Sequence, residues 1–138
     1  MQRAGKCLCG AVTYEAKVHA DASACHCGMC LRWCGGPFIG VGTDSIEWTG
    51  QDAITTFTSS KWAERGFCSQ CGTNLFYRVT AEGKYQGFTS LAFGTLEDKA
   101  GLELTREWFF DNKPQLYTLE GERQRVTEAE AFAMLGDT

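Results

Sequence analysis

Seven of the chain's eight cysteines fall into three tight clusters: Cys7-Leu8-Cys9, Cys25-His26-Cys27-Gly28-Met29-Cys30 and Cys68-Ser69-Gln70-Cys71. Thiolates one or two residues apart can turn onto a single cation. Cysteines separated by one residue are, by contrast, awkward disulfide partners, because that bond demands a particular spacing and dihedral. The outer pairs, Cys7 with Cys9 and Cys68 with Cys71, together supply four thiolates, enough to enclose one zinc ion tetrahedrally. Such a site is chemically quiet and would cross-link the N-terminal segment to the middle of the chain. The central cluster supplies three, Cys25, Cys27 and Cys30, and leaves one corner of a tetrahedron for an exchangeable ligand. That is the usual composition of a catalytic zinc site. Two zinc ions per chain are therefore expected, one structural and one reactive. A small thiol suits a sulfur-rich centre, where coordination would hold it deprotonated.

Other chemistries compete for these residues. Cys34 stands four residues after Cys30, so a helical turn would bring both to one face and close the second site. Both zinc ions would then be structural, and the protein would be a binding module. The opposing reading makes Cys34 a small, half-buried thiol. A thiol-dependent reductase would need a metal-free redox cysteine, and Cys34 is the candidate. A thioredoxin-type pair at Cys27/Cys30 or Cys68/Cys71 should sit beside a βαβ pattern, and the short paired spacings suit single ions better than an iron–sulfur cluster. His26, between two ligands, is expected to point away from the metal.

The elements that position these cysteines read as mainly β. Short apolar or alternating runs lie between glycine-rich breaks: residues 11–16, 38–41, 45–49, 54–58, 74–79, 85–93 and 103–110, with 116–119 a weaker strand candidate. Helical periodicity is missing from the first hundred residues. One helix is expected near the C-terminus, where Thr127-Glu128-Ala129-Glu130 has capping-box spacing, followed by Phe132, Met134 and Leu135, with Gly136 as a stop. No repeat or low-complexity linker divides the chain, so residues 1–138 are expected to form a single domain.

The net charge of −4 argues against broad nucleic-acid binding. Arg65, Lys61, Arg123 and Arg125 lie near acidic residues and read as a solvated surface. No run of apolar residues is long enough to span a membrane. The first six residues lead to Cys7 without an apolar signal segment, so a cytoplasmic setting is expected, where thiols stay reduced. Oligomeric state is not readable.

The ordered series Lys6-Cys7-Leu8-Cys9-Gly10, Cys25-His26-Cys27-Gly28-Met29-Cys30, Gly35-Gly36-Pro37-Phe38 and Arg65-Gly66-Phe67-Cys68-Ser69-Gln70-Cys71-Gly72-Thr73-Asn74-Leu75-Phe76 resembles the glutathione-dependent formaldehyde-activating enzymes, a family that includes centromere protein V. The resemblance extends through Phe93-Gly94-Thr95-Leu96 and Trp108 to Pro114. It implies a β-tent fold, one zinc on Cys7, Cys9, Cys68 and Cys71, and another on Cys25, Cys27 and Cys30. It also implies addition of the glutathione thiol to formaldehyde, a carbon–sulfur lyase reaction in reverse. The family's ligand spacing stops at Cys30, which favours Cys34 as a bystander. Glu107 stands where the family often has His, Leu116-Tyr117 where a Trp is usual, and Cys34 where Ser is frequent. Arg32, Lys61 and Arg65 are candidates to attract glutathione's carboxylates, and Trp33 and Trp62 to line a pocket, although surface charge and core packing are their commoner roles.

Overall fold

The computed structural model describes residues 1–134. Among them, nine strands join one sheet: β1 (Gln2–Lys6), β2 (Thr13–Cys25), β3 (Phe38–Thr49), β4 (Ile54–Thr58), β5 (Ala63–Cys68), β6 (Asn74–Val79), β7 (Thr89–Ala92), β8 (Glu103–Trp108) and β9 (Gln124–Val126). Their order is β4-β5-β6-β7-β3-β2-β8-β9, with β1 also on β2. The mainly β expectation holds, and the arrangement agrees with a β-tent.

Strand β2 organises the sheet. Its even-numbered residues Tyr14, Ala16, Val18, Ala22 and Ala24 are buried, as the period-two geometry of a strand dictates. It lies antiparallel to β3 along almost its whole length, with register breaks between Lys17 and Ala22. Its other edge is divided. Residues 13–17 pair antiparallel with β1, and residues 21–25 pair in parallel with β8. The bulged stretch between them is where one neighbour gives way to the other, and extra residues of this kind bend and twist a strand. Cys25 ends β2, flanked by Phe38 of β3 and Trp108 of β8.

The main core joins residues of β2, β3, β6 and β7. Val12, Val41, Leu75, Phe76, Leu91 and Leu96 are all at most 1% exposed, and each such burial is worth about 1.5–3 kcal/mol. A second, smaller cluster packs Phe38 with Cys27 and Cys30, bordered by Trp33, Tyr77 and Phe109.

Several elements differ from the sequence reading. Residues 38–49 form one strand rather than two, and β1, β5 and β9 were not expected. Residues 85–88 lie in a turn before β7, and residues 116–119 form no strand. A short helix, α1 (Gly28–Cys34), carries the end of the central cysteine cluster. It stops at Gly35, which is in the left-handed region and donates to the Leu31 carbonyl, a common helix ending.

The C-terminal helix α2 (Glu128–Met134) forms as expected. Its capping box is reciprocal: Glu130 N–H donates to Thr127 Oγ1 at 3.2 Å, and Thr127 N–H donates to Glu130 Oε1 at 2.9 Å. Ala131 is its buried residue. Phe132 stacks on Trp62 and meets Phe109 edge-on. Leu135 and the stop at Gly136 lie outside the described residues.

Candidate metal centres

The fold brings together the two cysteine groups anticipated from spacing. The sulfurs of Cys7, Cys9, Cys68 and Cys71 all lie within 4.8 Å of one another, as do those of Cys25, Cys27 and Cys30.

The four-sulfur group is built from two similar turns. Cys7 and Cys9 sit between β1 and β2, where Gly10 N–H donates to the Cys7 carbonyl. Cys68 ends β5, and Gly72 N–H donates back to the Cys68 carbonyl at 2.8 Å. Gly10 and Gly72 both have φ near +80°, a conformation that a side chain disfavours. Backbone amides also turn onto sulfur, with Val12 N–H donating to Cys7 Sγ at 3.3 Å. The Thr73 hydroxyl lies 3.1 Å from Cys71 Sγ, and it holds that thiol down to about 5. The sulfur separations test the fit of a metal directly. Cys7 to Cys9 is 3.7 Å and Cys9 to Cys68 is 3.8 Å. A tetrahedron of sulfurs about 2.3 Å from a zinc ion has an edge of about 3.8 Å. The donor set fits zinc.

The three-sulfur group draws on two elements. Cys25 is the last residue of β2, while Cys27 is the N-cap of α1 and Cys30 lies in its first turn. Cys27 Sγ accepts from Cys30 N–H at 3.4 Å. Cys27 and Cys30 are buried; Cys25 is half-buried. The Cys25 thiol first, and then Cys30 and the charge of Arg65, hold the Cys27 thiol down to about 2, while Cys27 and Cys30 push Cys25 far up. Three sulfurs this close cannot all ionise without a cation among them. The trio therefore suits a thiophilic dication as well.

No other described side chain joins the trio. Cys34, at the far end of α1, is exposed and has the Asn74 side-chain amide 3.9 Å from its sulfur. Partial desolvation by its neighbours nevertheless raises the pKa of that thiol. His26 does turn away from the sulfurs. It is completely buried, with Nε2 2.8 Å from Glu107 Oε1 and Nδ1 2.6 Å from the Tyr117 hydroxyl. Glu107 Oε2 also accepts from Arg123 at 2.7 Å and from Arg125 at 3.3 Å. Burial alone would raise the Glu107 pKa, but the Arg123 and His26 hydrogen bonds overcome it and hold the carboxyl below its ordinary value. A carboxylate can only accept, so His26 Nε2–H donates to Glu107. Lys113 fixes the loop by donating to the Tyr117 carbonyl at 2.6 Å. Nothing in the spacing pattern pointed to Glu107 or Tyr117.

The expected solvated surface needs correction at three positions. Arg65 is only 4% exposed. Its guanidinium lies 5.0 Å from the Trp33 ring and 5.2 Å from the Tyr77 ring, with Nη1 donating to Cys30 Sγ at 3.4 Å. Arg123 is 8% exposed at its side chain, and Arg125 is partly covered. Lys61 and Arg32 are exposed. Trp33 packs against the three-sulfur cluster, whereas Trp62 packs with α2. Two surface recesses, about 590 and 350 Å³, lie away from the trio.

The model of the glutathione-dependent formaldehyde-activating enzyme family matches residues 2–112. The chain belongs to that family. Among its relatives, a protein named as an uncharacterized lyase of Schizosaccharomyces pombe is 29% identical over 130 residues, which cover 84% of this chain and 90% of the relative. A putative glutathione-dependent formaldehyde-activating enzyme of Talaromyces marneffei is 32% identical over 88 residues, 59% of this chain and 47% of its own length. This member of the family thus matches about half of that fungal protein. A crystal structure of a Rhodobacter sphaeroides protein shares the fold, with a TM-score of 0.56 and 24% identity over 68% of this chain and 87% of that one.

Proposed function

We propose that this family member is a zinc-dependent enzyme of the carbon–sulfur lyase type, which joins a small thiol such as glutathione to formaldehyde or a related small carbonyl. The observation that carries the reading is the three-sulfur cluster, to which no fourth described side chain belongs. The two residues placed to close it, Cys34 and His26, are engaged elsewhere. A zinc ion held by Cys25, Cys27 and Cys30 would supply Lewis acidity and favour the thiolate form of an incoming thiol.

The rest falls to the chain. Cys25 is the half-open member of the trio, so substrate reaches the site from its side. Phe38, Trp33, Tyr77 and Phe109 wall the cluster with apolar surface, which excludes water and strengthens charge interactions inside. In the reaction a sulfur–carbon bond forms, the carbonyl π pair moves to oxygen, and the thiol proton ends on that oxygen. Atoms balance without an oxidant or reductant. Thiol addition to formaldehyde is intrinsically easy, so holding the two reactants together is the main contribution asked of the protein. The same reading makes Cys7, Cys9, Cys68 and Cys71 a structural zinc site within a single domain, and a cytoplasmic setting would keep all seven thiols reduced.

Metal analysis followed by glutathione titration of cobalt-substituted protein tests the proposal. Two metals per chain are expected, with one set of sulfur-to-cobalt absorption bands changing as glutathione is added. A spectrum indifferent to every small thiol would rule the enzymatic reading out.

A further inference from the structure

Arg65 lies in the middle of β5, yet it is more thoroughly buried than most of the chain's charges. A buried guanidinium ordinarily has a carboxylate partner, because desolvation is costly for an unpaired charge. Arg65 has none among the described residues. The adjacent Glu64 is taken by Arg78, at 2.6 Å across to β6. What Arg65 has instead is sulfur: Nη1 donates to Cys30 Sγ at 3.4 Å. Two aromatic rings, Trp33 from α1 and Tyr77 from β6, also lie about it, a contact that suits a planar cation. Its Nε is buried without a hydrogen-bond partner. A cost of this kind in a packed interior calls for a reason.

Charge supplies one. A dication on three thiolates leaves a single negative charge, and Arg65 cancels it. We propose that Arg65 is the built-in counter-charge of the three-sulfur centre, a positioning residue that holds the cysteine trio in its metal-binding form and keeps the loaded centre neutral, so that a further anionic sulfur ligand can approach it. The second half of this statement rests on the function proposed above; the first does not. The four-sulfur group, which carries the larger negative charge, has no buried arginine beside it among the described residues; its neighbours are amides and the Thr73 hydroxyl. The contrast follows the division of labour. A closed structural site needs no help to admit another anion.

The test uses the full-length protein loaded with cobalt or zinc, with Arg65→Lys, Arg65→Gln and Arg65→Met variants. Metal affinity at each centre is measured by chelator competition, following the cobalt bands. Loss of a group that supports metal ligands typically weakens binding about 10–100-fold, and that loss is expected for Arg65→Met at the three-sulfur centre alone. Arg65→Lys should retain more affinity than Arg65→Gln or Arg65→Met. The order is diagnostic. If Arg65 served only to fill space between two rings, Met would replace it best and a buried Lys worst. Affinity in Arg65→Met equal to or above that of Arg65→Lys therefore overturns the proposal. Should Met prevent folding, the Lys and Gln pair gives the same comparison.

A second arm titrates the cobalt protein with mercaptoacetate and with 2-mercaptoethanol. Both bind through a thiolate, and mercaptoacetate brings a second negative charge. Replacing Arg65 by Gln should weaken both, mercaptoacetate by the larger factor, and unchanged affinity for both would overturn the electrostatic role toward ligand. Wild-type protein that answers to neither thiol would defeat the enzymatic reading. The ranking of the variants for metal would still decide the counter-charge on its own.

Discussion

The eight cysteines are not equivalent in what their loss should do. Cys68 is buried at the end of β5 and shares its metal-fitting group with residues some sixty positions earlier. Structural zinc can contribute on the order of 10 kcal/mol, comparable to the whole stability of a small domain. Cys68→Ser should thus lower the metal content and abolish cooperative thermal unfolding, not merely reduce activity. A variant that unfolds like wild type would show the four-sulfur group to be dispensable. Cys34→Ser should change almost nothing: two metals per chain, and stability within about 0.5 kcal/mol. Loss of one metal on that substitution would place Cys34 among the ligands after all. Gly66 is a quieter case. A Cβ there would run into the Phe76 ring, which lies against it, so Gly66→Ala should destabilise by about 1–3 kcal/mol through overpacking.

The cysteine groups were legible because ligand spacing is local: a sulfur two or three residues away along a turn shares its metal. Arg65 was not legible. A charged residue beside Glu64 looks like surface until α1 and β6 bring Trp33 and Tyr77 against it.

At the scale of elements, β8 and the loop after it are held to β2 by the Glu107 network. Glu107→Ala would leave Arg123 and His26 without their buried acceptor and should cost about 3–5 kcal/mol, read as a fall in the denaturation midpoint. The pH dependence has a definite sign. An unfolded Glu titrates near 4.3, and the folded carboxyl of Glu107 is held lower. Its stabilisation is therefore complete above the unfolded value and is lost as pH falls through the folded one. Melting curves between about pH 6 and 3 should show a steeper acid loss in wild type than in Glu107→Gln, with any acid release of metal common to both. Parallel slopes would refute the role. Helix α2 was readable because its capping box is a four-residue signal. The short helix α1 was not, since seven residues are too few for periodicity. β5 was missed because Glu64 and Arg65 interrupt an apolar run, and β9 because three residues hardly make a pattern. The alternation at 116–119 misled for a related reason: the loop is held by Lys113 and the Tyr117 hydroxyl rather than by a sheet partner.

The whole molecule joins distant parts of the chain at every important point. The parallel pairing of β2 with β8 and β9 with β8 could not be foreseen from alternation, which says which face a residue takes but not which neighbour it finds. Strand β5 has a particular place in that plan. Arg65 touches the three-sulfur group, and Cys68, three residues on, belongs to the four-sulfur group. At about 3.3 Å per residue the two points are about 10 Å apart. One stiff beam thus rests on both foundations, and loss of the closed one should tilt the other. Cys71→Ser, which alters no member of the trio, should nonetheless loosen cobalt there, read in chelator titration as earlier loss of the three-sulfur bands.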